Sequence, residues 1–91
     1  MPYYVYFTTN INHTVLYTGL TGNLPKRSEQ HKSRSVNSFT KKYNADKIVY
    51  AEEFENINEA RIREKHIKNW NREWKDNLIN QSNPKWNEIS I

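Results

Sequence analysis

The sequence predicts an α+β fold, a small three-stranded antiparallel sheet flanked by helices in the order β-β-α-β-α-α. Three observations carry this. Two short aromatic and β-branched runs stand close together near the N-terminus, separated by a polar loop. Helix-capping patterns precede the first two helical segments. And 91 residues suffice for one domain with a modest core.

Residues 3–8, Tyr-Tyr-Val-Tyr-Phe-Thr, read as the first strand. Asn10-Ile11-Asn12-His13 is a polar loop, and Val15-Leu16-Tyr17-Thr18 is a second strand ending at Gly19. A short polar loop implies an antiparallel hairpin. A register symmetric about it would set Tyr6 opposite Tyr17, with both rings on one face. Gly22-Asn23 supplies a turn and an N-cap, with Pro25 in the first turn of a helix from Leu24 to about Arg34. Residues 35–45 are polar, with one helical turn expected around Phe39-Thr40-Lys41. Lys47-Ile48-Val49-Tyr50-Ala51 reads as the third strand. Asn56 and Glu59 have the spacing of a capping box and open a helix to about Trp70. A short helix from Glu73 to Gln81 follows, and Pro84 is expected to close the ordered region. The division is thus a domain over 1–83 and a C-terminal tail over 84–91, without repeats or linkers.

Composition excludes some classes of protein. There is no cysteine, so neither a disulfide framework nor a thiolate metal site can form, in keeping with a reducing, cytoplasmic setting. No apolar run is long enough to span a bilayer, and no signal-peptide pattern opens the chain, so no membrane partner is expected. The net charge is +4, and its distribution says more than its total. Lys26, Arg27, Lys32, Arg34, Lys41 and Lys42 face only Glu29 over residues 26–42, a balance of +5 that leaves the rest of the chain at −1. Such a segment suits a phosphate-facing surface, and equally a solvated charged helix face.

The second long helix carries an anomaly. Its inward stripe runs Ile57, Ala60, position 64, Ile67 and, if the helix continues, Trp74. Position 64 is Glu. A carboxylate there needs a cation, a donor or a metal, since burying it unpaired costs several kcal/mol. An ion pair across the core and a metal ligand at its edge both satisfy that demand. Arg27 and His31, four apart, share a face of the first helix. They form either a phosphate clamp with a proton handler or an ordinary solvated basic pair. His13 and His66 read as surface residues. Trp70 and Trp74 read as core rather than as stacking platforms.

At the hairpin these residues resemble a known family. Tyr4-Val5-Tyr6 and Tyr17-Thr18-Gly19 are similar to the two tripeptides that name the GIY-YIG nucleases. The stretch Leu24-Pro-Lys-Arg27-Ser-Glu-Gln-His31-Lys resembles the family's helix bearing an Arg and, four residues on, a His or Tyr. Glu64, in Ala60-Arg-Ile-Arg-Glu64-Lys, falls where the family keeps its metal-binding Glu. Phe39-Thr-Lys-Lys-Tyr43 and the Trp-rich end resemble the small stand-alone bacterial branch, related to the UvrC N-terminal domain. The chain departs from the tripeptides at Tyr4 and Thr18, neither of which replaces a reacting group.

The resemblance implies metal-dependent endonuclease chemistry on DNA, in repair or processing. Tyr6, Tyr17, Arg27 and His31 would be catalytic, and Glu64 would hold one Mg²⁺ or Mn²⁺. Tyr6 would deprotonate the attacking water with its pKa lowered by Arg27 or the metal, Tyr17 would orient water or phosphate, and His31 would relay the proton. Lys26, Lys32, Arg34, Lys41, Lys42 and Tyr43 would contact nucleic acid. The family often has an Asn after that Glu, and among Asn69, Asn71 and Asn77 the last is favoured. The alternative is a catalytically weak nucleic-acid-binding module acting with a protein partner; the sequence leaves the oligomeric state open.

Overall fold

A computed structural model describes residues 2–32 and 42–89. Strands β1 (Tyr3–Thr9), β2 (Leu16–Thr21) and β3 (Lys47–Phe54) form one antiparallel sheet of order β2-β1-β3. Helices α1 (Leu24–Lys32), α2 (Ile57–Lys68) and α3 (Arg72–Ser82) complete the predicted order. The helical turn expected around residues 39–41, and with it Arg34 and Lys41, lies outside the described residues.

The strand β1 lies between the other two, so its alternating side chains serve two cores. Val5 and Phe7 point to the face covered by α2 and α3, where they pack with Val49, Ala60, Ile67, Ile79 and Trp86. Tyr6 points to the opposite face, against Leu24 of α1 and Ile48 of β3. Within β3 the register with β1 shifts between Phe7 and Thr8, whose partners are Tyr50 and Ile48. The residue left over is Val49, which joins Tyr50 on the α2–α3 side, as a bulge permits.

The hairpin register differs from the symmetric one. Tyr6 pairs with Gly19, and Tyr17 pairs with Thr8. The two tyrosines therefore share a face as diagonal neighbours. The loop causes the shift: the Asn10 side chain accepts from the Thr14 and Val15 amides at 2.8 and 3.3 Å, His13 takes a left-handed φ of 57°, and pairing resumes only at Leu16. Gly19 does not end the strand, which continues to Thr21. A Cβ at Gly19 would lie 2.4 Å from Cζ and Oη of Tyr6, so the glycine makes room for the ring.

Helix α2 starts as its capping residue dictates. The Asn56 side chain accepts from the amides of Asn58 at 2.7 Å and Glu59 at 3.4 Å. It ends at Lys68, short of Trp70, and Asn71 then caps α3 by accepting from the Trp74 amide at 2.9 Å. This break removes Trp74 from the inward stripe, and the residue is 56% exposed. Trp70 does pack against the core.

Order does not stop at Pro84. Trp86 is buried although its φ of 54° is unfavourable for a bulky residue. Its Nε1 donates to Oδ1 of Asn80 at 2.7 Å, and its ring lies 5.0 Å from that of His13. The Ile89 amide donates to the Ile48 carbonyl at 2.8 Å, so the tail lies along β3. No helix among the described residues is long and apolar enough to cross a membrane.

Two stability outcomes follow. Gly19→Ala should cost about 2 kcal/mol or more, because the Tyr6 ring is enclosed, whereas Gly22→Ala, with nothing nearer than 3.6 Å, should change stability by a few tenths. Trp86→Ala should cost about 3 kcal/mol through the cavity it leaves. Urea midpoints of the three variants measure both, and a Trp86→Ala midpoint equal to wild type would show that the tail contributes nothing.

Candidate active site

The α1 face of the sheet gathers four of the five residues singled out for chemistry. Tyr6 comes from the central strand, Tyr17 from β2, and Arg27 and His31 from successive turns of α1. The three rings form a triangle: Tyr6 to Tyr17 is 6.4 Å between centroids, and each lies 5.5 Å from the His31 ring. The Tyr6 hydroxyl and Nε2 of His31 are 2.9 Å apart. Both residues are fully buried, while Tyr17 and Arg27 are half-buried.

Burial decides the charge state of the central pair. It raises the Tyr6 pKa well above the ordinary tyrosine range, Tyr17 and Glu64 push the same way, and the Arg27 cation beside the phenol pulls back without prevailing. The expectation of a lowered Tyr6 pKa is thus corrected: Arg27 does pull it down, but desolvation outweighs one cation. The expectation that Tyr6 touches the attacking water also meets its full burial. Burial and then the Arg27 cation push His31 down to about 4, against a smaller opposing pull from Asp46. Tyr6 and His31 are therefore both neutral at neutral pH. With both groups neutral, a single hydrogen bridges the Tyr6 hydroxyl and Nε2 of His31.

Glu64 reaches this cluster from α2, which packs on β2 and β1; its carboxylate is near enough to raise the Tyr6 pKa. Its side chain is 22% exposed, and its carboxylate lies 3.4 Å from Nζ of Lys68. The ion pair weighed from the sequence therefore exists, yet on the same helix rather than across the core. A pair of this i, i+4 kind contributes only about 0.2–0.5 kcal/mol, so it yields readily to a stronger cation. No group of three or more His, Asp or Glu side chains able to hold a metal occurs among the described residues. The Glu64 carboxylate alone could be one ligand of a hard divalent cation, whose remaining positions water and substrate phosphate would fill.

The basic residues distribute unevenly around the cluster. Lys26 and Arg27 line a cavity of about 270 Å³ at the start of α1, with Thr21, Gly22, Asn23 and Gln30. Lys32 is exposed and held by both oxygens of Glu88 at 2.6 Å, so the tail offsets its charge. Lys42 and Tyr43 are exposed, with the ammonium 5.3 Å from the ring centroid. His66 is exposed, and His13 is partly covered, its Nε2 3.1 Å from Nζ of Lys47. Asn77 lines a separate groove with Trp70, Trp74, Leu78 and Gln81, to which none of the five cluster residues contributes. Two contributors escaped the sequence reading. Asp46 acts on His31 from a loop position that carries no signal, and Gly19 makes space for Tyr6, for which a lone glycine amid strand-forming residues was the available clue.

Comparison with known proteins shows the family and the fold. The family model described as the GIY-YIG catalytic domain matches residues 2–83. UPF0213 protein CPE1444 of Clostridium perfringens (strain 13 / Type A) is 41% identical over 70 residues, which make up 77% of this chain and 75% of that protein. The solution NMR structure of UPF0213 protein BH0048 from Bacillus halodurans shares the fold, with a TM-score of 0.60 over 94% of this chain and 90% of that one, at 24% identity. The chain belongs to the GIY-YIG family, which implies chemistry of the nuclease type.

Proposed function

We propose that the protein is a divalent-metal-dependent endonuclease that hydrolyses phosphodiester bonds of DNA. The observation that carries this reading is the buried Tyr6–His31 hydrogen bond with Tyr17, Arg27 and Glu64 around it. A structural aromatic cluster would not require an arginine and an imidazole at one phenol with a carboxylate within electrostatic reach.

Each group has a role that its surroundings favour. Arg27 binds the scissile phosphate and stabilises the charge that builds on its non-bridging oxygens. Tyr17, half-buried at the rim, orients the attacking water. As that water bonds to phosphorus, its proton leaves to solvent at the open rim, while the buried Tyr6–His31 pair holds Tyr17 and Arg27 in position. Held by Glu64, a Mg²⁺ or Mn²⁺ ion would supply Lewis-acid polarisation of the phosphate and stabilise the leaving oxygen. A pKa of about 4 leaves His31 a weak acceptor. Lys26, Lys42 and Tyr43 flank the path of the backbone, with Arg34 and Lys41 assigned there by sequence alone.

Cleavage of supercoiled, branched and single-stranded DNA should require Mg²⁺ or Mn²⁺, stop with chelator, and fall at least a hundredfold in Glu64→Ala. Uncut substrates throughout, with DNA still bound, would leave the binding-module reading in its place. A second outcome concerns pH. The unfolded state takes up a proton on His31 near 6.5 and the folded state only near 4, so the unfolded chain binds more protons across that window. Stability from this residue is complete above about pH 6.5 and declines as pH falls towards 4, by roughly 3 kcal/mol. Urea midpoints of wild type and His31→Gln between pH 7 and 4 test this, and parallel curves would refute a neutral buried His31.

A further inference from the structure

The groove beside α3 has a construction that core packing does not require. Trp74, Asn77, Leu78 and Gln81 occupy one side of the helix at i, i+3, i+4 and i+7, and with Trp70 they line a cavity of about 200 Å³. Trp74 is 56% exposed, an unusual position for the largest apolar ring. It is also held in place. Trp70 meets it edge to face at 5.9 Å, and the Arg63 guanidinium lies 5.1 Å from the Trp70 ring centroid. Arg63 is itself fixed by two hydrogen bonds of 2.9 Å to Glu52, whose carboxylate also accepts from the Tyr50 hydroxyl. An indole braced in this way loses little entropy when a flat ring stacks on it.

The polar lining points to the ligand's chemistry. Among the described residues, neither the Asn77 nor the Gln81 side chain has a hydrogen-bond partner. Covering them with an apolar peptide would leave donors and acceptors unpaired at a cost. No charged side chain among the described residues lines it, so neither a carboxylate nor an ammonium is matched by them. A neutral, planar heterocycle with donors and acceptors along one edge meets all of these conditions.

We propose that this groove is a base-binding subsite, in which an unstacked nucleobase of single-stranded nucleic acid lies on the Trp74 indole with its edge against Asn77 and Gln81. The inference rests on the nucleic-acid reading for the source of the base. It goes beyond that reading by giving the protein a base contact apart from the Tyr6 cluster. Arg63, next to Glu64 on α2, links the bracing of Trp70 to the helix that carries the carboxylate.

The test uses the whole chain in chelator, so that nothing is cut, with a fluorescent oligothymidylate and an abasic oligomer of equal length as probes. Trp74→Ala should weaken oligothymidylate binding roughly tenfold, Gln81→Ala should weaken it less, and both should leave abasic binding unchanged. Trp74→Phe should keep most of the affinity. Unchanged thermal unfolding of Trp74→Ala would show that the loss is local. Equal losses on both probes, or no loss on either, would overturn the proposal. So would a change from dimer to monomer in Trp74→Ala at unaltered affinity, which would assign the groove to a second copy of the chain. Wild type binding neither probe overturns the subsite together with the nucleic-acid reading. Base-dependent binding without cleavage removes only the nuclease.

Discussion

The Tyr6 side chain is fixed from three directions, and the α1 face of the sheet is organised by that confinement. Gly19 stands opposite it across the hairpin and contributes no side chain, so the ring lies flat over β2. His31 holds the hydroxyl from above. Leu24 and Ile48 pack along the sides. A ring in that position cannot relax when a neighbour changes, so Tyr17 and His31 must pack to its shape. The consequence is a small set of polar groups held at hydrogen-bonding distance in surroundings that exclude water.

Excluding water has an electrostatic consequence. In contact with solvent, Arg27 would have favoured a tyrosinate, and His31 would have titrated near neutrality. Inside, desolvation outweighs the cation at Tyr6 and joins it at His31, so the pair is neutral, and Arg27 and Glu64 place fixed charges of opposite sign at its margin. An arginine and a carboxylate flanking a neutral hydrogen-bonded pair suit an anion on one side and a cation on the other. Catalysis arranged this way draws on pre-set dipoles and charges, with no need for a side chain to change state before substrate arrives.

The strands, the capping of α2 by Asn56 and the element order were legible because each depends on residues within a few positions of one another. Register was not. Tyr6 faces Gly19 because the Asn10 side chain takes two amides of the loop and His13 adopts a left-handed backbone, and both are choices among several equally compatible turns. The same holds for the C-terminal segment. Pro84 resembles a stop, yet Trp86 finds Asn80 and His13, partners a long way off in the chain, and their contacts outweigh an unfavourable φ. At the candidate site the residue types were legible and their protonation states were not, since burial set those. Trp74 reversed the expectation for a different reason: a helix break between Lys68 and Arg72 turned an inward position outward.

The alternation of β1 explains how 91 residues support both a fold and a site. Val5 and Phe7 support the larger core, which is apolar and sealed by α2, α3 and Trp86. Tyr4, Tyr6 and Thr8 alternate with them onto the other face, where the packing is thinner and polar groups are retained; Thr8 keeps a buried hydroxyl without a hydrogen-bond partner among the described residues. An orphaned hydroxyl costs about 1–3 kcal/mol, which a chain this small can carry only if the opposite face supplies the stability. A single central strand therefore couples the two. Any change that shifted its register by one residue would exchange the faces, placing the phenol in the apolar core and Phe7 beside the arginine. The bulge at Val49 and the Tyr6–Gly19 fit oppose that slip from either side of β1, so the residues that fix the register are also those that shape the candidate site.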